Sequence, residues 1–199
     1  MKLDNDILEL RDNVIRHRRW LHRHPQTGFR EEDARDYILR FLRSLDFDEI
    51  TILAKTGVKA VIRGKQPTNT LAFRADMDAL AITEETGLEF RSKTQYMHAC
   101  GHDTHAAMLL GAAKLLKDHE DEIRGAVKLM FQPAEELLAG AKAMIEAGIL
   151  ENPKVDAAAM IHSFTGIGAS HGLLVIPAGG YVTSSGDVFR IEINGKGGH

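Results

Sequence analysis

The stretch Ala126-Val127-Lys128-Leu129-Met130-Phe131-Gln132-Pro133 decides the fold class. Its apolar run has the length of a buried strand rather than a helix, and Pro133, which has no N–H to give a sheet, ends it. Reading forward, Ala139–Ala147 is a short helix closed by Gly148 as its C-terminal cap, and Val155–Ile161 is another apolar strand that ends at His162. Reading back, residues 104–117 are rich in Ala and Leu and predict a helix, while Thr70–Arg74 and Val58–Arg63 predict two strands. Two amphipathic helices open the chain. In residues 3–23, Leu3, Ile7, Leu10, Val14 and Leu21 recur at helical steps until Pro25 stops the run, and from Glu31 to Leu45 the apolar side is Ala34, Ile38, Phe41, Leu42 and Leu45. Strands alternating with helices predict an α/β fold with a mixed, largely parallel sheet flanked by helices.

The tail breaks this pattern. Gly179-Gly180 and Ser184-Ser185-Gly186 are rich in chain breakers, and Val188–Ile193 then alternates apolar and polar as a half-buried antiparallel strand does. A lone strand cannot bury its face. The expected division is therefore 1–185 as one domain, incomplete, and 186–199 as the start of a second, truncated one.

Composition bounds the chemistry. With 44% hydrophobic and 27% charged residues the 199-residue chain is ordinary for a soluble globular protein. A net charge of −3 supplies no basic field, which argues against nucleic acid as a partner. No apolar run approaches the ~18–20 residues needed to span a bilayer, and the N-terminus has no signal-like apolar region, so the expected location is cytoplasmic. The single cysteine cannot form an internal disulfide and remains available as a ligand.

The chemistry-bearing residues gather at a few places. His98-Ala99-Cys100-Gly101-His102-Asp103-Thr104-His105 packs imidazole, thiol and carboxylate into one short segment, and Gln132-Pro133-Ala134-Glu135-Glu136 follows. These are the donors that borderline transition metals take. Cys100 and His102, two apart, suit a loop before the 104–117 helix, whose N-terminal potential favours a Cys100 thiolate. His98 and His105 are better read as supports than as ligands. Adjacent Glu135 and Glu136 point in different directions, so one can bind metal while the other moves protons. Asp76, Asp78 and His162 stand at strand ends, where open α/β sheets bind ligands.

In Arg19-Trp20-Leu21-His22 with Pro25, Phe73-Arg74-Ala75-Asp76-Met77-Asp78-Ala79-Leu80, Met97 through Asp103, Phe131 through Glu136 with Gly140-Ala141, Ile161-His162 and Gly195-Lys196-Gly197-Gly198-His199, the chain resembles the N-acyl-amino-acid amidohydrolases. This is the aminoacylase and hippurate hydrolase group of dinuclear metallopeptidases. The resemblance implies two divalent metal ions, zinc or manganese first and cobalt or nickel next. It implies Cys100 as the bridging residue, His102, Glu136 and His162 as further ligands, Glu135 as general base, Asp78 as a catalytic-site aspartate, and His199 as a lid-domain histidine that steadies the oxyanion. The implied reaction is hydrolysis of the amide of a small-molecule N-acyl amino acid or dipeptide by metal-activated water. The fold implied is a metallopeptidase catalytic domain followed by the first strand of an α+β lid domain, through which the family forms homodimers. Gln26 stands where the family commonly has Glu, and Ala81 where it has Pro. The rest of the lid and a distal ligand histidine have no counterpart in these residues, so the alternative expectation is an inactive metal-binding fragment.

Overall fold

A computed structural model describes residues 2–47, 49–66, 68–164, 172–177, 179–180, 186 and 188–198. The elements in chain order are α1 (Lys2–Glu9), α2 (Arg11–Arg23), α3 (Glu32–Ser44), β1 (Glu49–Leu53), β2 (Gly57–Arg63), β3 (Thr70–Asp76), α4 (His102–Asp118), β4 (Ala126–Gln132), α5 (Gly140–Glu146) and β5 (Ala157–Met160). They form one five-stranded sheet in the order β1-β2-β4-β3-β5. β1 with β2 and β2 with β4 are antiparallel, and β4, β3 and β5 run parallel, so the sheet is mixed.

Alternation along each strand sorts the two faces. Val58, Ala60 and Ile62 of β2, Ala75 of β3, and Val127, Leu129 and Phe131 of β4 join Leu21, Ile38, Leu42, Ala106 and Leu110 in the main core under α2, α3 and α4. The opposite face is thinner, with Ala72 and Met130 packing on Met144 and Ile149 beside α5. α5 ends where Gly148 predicts. Gly148 sits at φ 81° and its N–H donates to Ile145 O, while Ile149 N–H donates to Met144 O, which closes the helix in a left-handed cap.

Three differences from the sequence reading have local causes. The first helix is interrupted at Leu10, whose N–H bonds back three residues to Ile7 O. β1 was not foreseen; its burial pattern is mostly intermediate, as an edge strand over a thin face shows. The expected strand at 188–193 is absent: residues 188–198 carry no helix or strand, and Val188, Phe189, Ile191 and Ile193 are exposed. Among the described residues no strand pairs with this segment, and a strand without a partner is not stable alone. Chain contacts divide the protein into Met1–Phe164 and Thr165–His199. The former holds every element above.

Candidate metal centre

The parallel strands β4, β3 and β5 bring their C-terminal ends together, and the expected residues follow them. β3 ends at Asp76 with Asp78 just beyond, Glu135 and Glu136 lie after β4, and His162 lies after β5. The fourth contribution is α4, which begins two residues earlier than its composition indicated, so His102 occupies its first turn. Gly101, at φ 89°, turns the chain into that helix and leaves Cys100 just outside it. A side chain on Gly101 would also meet Ser163 Oγ at 2.4 Å, which the serine would have to rotate away to relieve.

His102 is fully buried and its two nitrogens face different surroundings. Nδ1 lies 3.0 Å from the Asp78 carbonyl and 3.2 Å from Asp78 Oδ1. Both are acceptors, so Nδ1 carries a proton. Nε2 is buried without a hydrogen-bond partner, as is Glu136 Oε1. Around Nε2 stand Asp76 Oδ2 and Glu135 Oε2, each at 3.7 Å, and Glu136 Oε1 at 3.9 Å. These separations are too long for hydrogen bonds and close to the ~3.4 Å between ligands that each lie ~2.1 Å from one tetrahedral ion. Cys100 Sγ lies 3.5 Å from His162 Nε2, and Cys100, His102 and His162 can offer ligand atoms within 4.8 Å of one another, as can His102, Glu135 and Glu136. The residues present therefore fit a metal ion.

The supporting residues are equally specific. Asp78 Oδ2 accepts the Glu136 N–H at 3.0 Å, so this one carboxylate positions both His102 and the Glu pair. His105 is a support: Ser163 N–H donates to its Nε2 at 2.8 Å, which leaves Nδ1–H to donate to Asp76 Oδ1 at 2.6 Å and no lone pair for a metal. Burial resists ionisation of Asp76, but the His105 bond and the charges of His102 and Arg74 outweigh it and hold the carboxyl down at about 2. Burial lowers the His102 pKa, yet Asp78, Asp76 and Glu136 raise it overall, so the cluster draws positive charge to Nε2. His98 joins none of these groups. It is buried with neither ring nitrogen partnered, and burial takes its pKa down to about 4.

The expectation of a Cys100 thiolate is corrected. Burial, then the carboxylates of Glu136, Glu135 and Asp76, push the thiol up to about 11. Negative charge at close range outweighs the partial charge of a helix terminus. His199 lies outside the described residues. The sequence reading missed Arg74, which links three strands by bonding Gln132 Oε1 at 2.9 Å, Met160 Sδ at 3.3 Å and Asp76 Oδ2 at 3.2 Å. It also missed His22, which lies between Asp103 and Glu84 at 2.8 and 3.0 Å. Both belong to motifs quoted above, which was the available signal.

Residues 72–194 match the model of peptidase family M20/M25/M40. The chain belongs to this family. Saccharolobus solfataricus thermostable carboxypeptidase 1 is 44% identical over 100% of this chain and 50% of its own length. The N-acyl-L-amino acid amidohydrolase of Geobacillus stearothermophilus is 42% identical over 96% of this chain and 51% of its own. The crystal structure of a Bacillus subtilis dinuclear metal binding peptidase of the M20 family superposes with a TM-score of 0.70 at 44% identity, covering 74% of this chain and 41% of that one. The α/β catalytic fold is thus that of M20 peptidases, and this chain spans about half the length of the curated relatives it matches.

Proposed function

We propose that these residues form the metal-binding part of a metal-dependent hydrolase that cleaves the amide bond of N-acyl amino acids or small peptides. The observation that carries the reading is the pair of buried, unpartnered atoms His102 Nε2 and Glu136 Oε1, 3.9 Å apart among further carboxylates. The names of the relatives supply the substrate class. Two divalent cations, zinc or manganese before cobalt or nickel, would be held by Cys100, His102, Glu136 and His162. The chemistry they would supply is polarisation of the scissile carbonyl and a lowered pKa of water. Cys100, as a ligand, would lose the proton it otherwise keeps.

Glu135, about one-third exposed, faces the same space and serves as general base, taking a proton from the attacking water and passing it to the leaving amine. Asp78 acts through others, fixing the His102 tautomer and the Glu136 main chain. His199 is the oxyanion-stabilising residue in this reading, and 186–199 begins a second, dimer-forming domain. Among the described residues no helix is long and apolar enough to cross a membrane, and a cysteine kept reduced fits a cytoplasmic enzyme.

The experiment pairs binding with turnover. Cobalt(II) titrated into the protein should give a near-ultraviolet thiolate charge-transfer band that Cys100→Ser removes. Glu135→Gln should abolish hydrolysis of N-acetyl amino acids while cobalt stays bound. Full activity in Glu135→Gln removes the assigned base, and a cobalt spectrum unchanged by Cys100→Ser removes the assigned ligand.

A further inference from the structure

Glu31 is completely buried, yet it takes no part in the metal cluster and does not cap its own helix. Its side chain turns away from α3. Oε2 accepts the Thr56 hydroxyl at 2.6 Å, and Oε1 accepts the backbone N–H of Ala134 at 2.9 Å across 103 positions of sequence. Ala134 precedes Glu135 and sits at φ 50°, a left-handed conformation that an alanine adopts only at a cost of roughly 1–2 kcal/mol. The turn is also crowded. A Cβ on Gly28 would lie 2.9 Å from Ala134 Cα, and one on Gly140 would lie 1.6 Å from Pro133 O.

We propose that Glu31 is a positioning residue for the general base, holding the Ala134 N–H so that the Pro133–Glu136 turn keeps its left-handed residue and aims Glu135 at the metal cluster. The proposal rests on the reading of Glu135 given above. Two carboxylates then grip alternate amides of this turn, Glu31 at Ala134 and Asp78 at Glu136. One lies ahead of the base and one behind it, so the base itself needs no direct partner. A buried carboxylate is costly, and a hydrophobic residue would fill the same space at less cost. The amide it holds and the Thr56 hydroxyl offset that cost.

The experiment compares Glu31→Leu, Glu31→Gln and Thr56→Val. Glutamine keeps an oxygen for Ala134 N–H and turns its amide nitrogen to the Thr56 oxygen, which accepts in turn. Thr56→Val removes the other bond to Glu31 without touching the turn. Glu31→Leu should lower kcat by about 100-fold, the effect of a misplacement near 1 Å, with KM and bound metal little changed. Glu31→Gln and Thr56→Val should stay within a few-fold of the parent. Amide exchange at Ala134 gives a readout independent of turnover: protected in the parent, Glu31→Gln and Thr56→Val, and fast in Glu31→Leu. Parental kcat in Glu31→Leu, or an equal loss in Thr56→Val, overturns the proposal. Absence of turnover in the unmutated protein instead strikes the functional reading, while the exchange pattern still decides whether Glu31 holds the turn.

Discussion

Asp78 shows how much one side chain settles at this centre. Its carbonyl and Oδ1 hold the proton of His102 Nδ1, and its Oδ2 holds the Glu136 N–H, so the orientation of one proposed ligand and the backbone of another depend on it. Removing such a partner typically lowers metal affinity by 10–100-fold. Asp78→Ala should therefore weaken binding by about that factor in a chelator-competition titration. Asp78→Asn should do less harm, since its amide oxygen still accepts from one of the two donors; equal affinity in Asp78→Ala and the parent contradicts the assignment. Asp78 was legible because it lies two residues beyond a strand end. Glu31 was not, because a glutamate at the start of a helix reads as solvated and favourable to the helix dipole. Only the three-dimensional distance to Ala134 gives it a second meaning. Cys100 was legible as a candidate ligand but not in its protonation, since the burial and the carboxylates that raise its pKa depend on the tertiary fold.

The elements that came through from sequence are those whose signals are local. α3 and β2, and the Gly148 end of α5, follow from periodicity, apolar runs and a capping glycine. β1 needed its neighbour β2 to become a strand, and residues 188–193 lack such a neighbour among the described residues. The same division between local and tertiary causes separates two glycines of α5. Gly148, at φ 81°, has open space where a Cβ would stand, with nothing within 4 Å, so Gly148→Ala meets only the strain of the left-handed conformation and should cost roughly 1–2 kcal/mol. Gly140 has an ordinary backbone but would drive its Cβ to 1.6 Å from Pro133 O. Gly140→Ala must displace the turn that carries Glu135 and Glu136, and should cost about 3 kcal/mol or more. Urea midpoints read both. Gly140→Ala should also lose turnover where Gly148→Ala keeps it, and the reverse order would contradict this account of the turn.

Across the whole of Met1–Phe164, the metal centre is braced by a second charged network that joins α2 to the first turn of α4. Asp103 Oδ2 accepts from Arg18 Nε at 2.9 Å and from His22 Nδ1 at 2.8 Å, and His22 Nε2 reaches Glu84 Oε1 at 3.0 Å. Glu84 also accepts the Ser92 N–H at 2.6 Å and the Thr86 hydroxyl, which ties in residues 84–92. A histidine between two carboxylates can donate from both nitrogens only when protonated, so this setting favours the imidazolium form of His22. The Asp103 bond, aided by Glu84, raises its pKa from 6.5 against the effect of burial. Burial opposes ionisation of Asp103 and Glu84, but His22 helps to carry both below their ordinary values of 3.8 and 4.5. The signs then fix a window. The histidine contributes stability fully below pH 6.5 and loses it as pH rises through its raised folded value. The carboxylates contribute above 3.8 and 4.5 and lose it as pH falls through their depressed folded values. The stability difference between the parent and His22→Gln, both free of metal, should therefore be greatest between pH 4.5 and 6.5 and shrink on either side. Thermal melts across that range check it. A difference independent of pH would mean that His22 acts only by packing, and that its charge does not hold α4, and with it Cys100 and His102, in place.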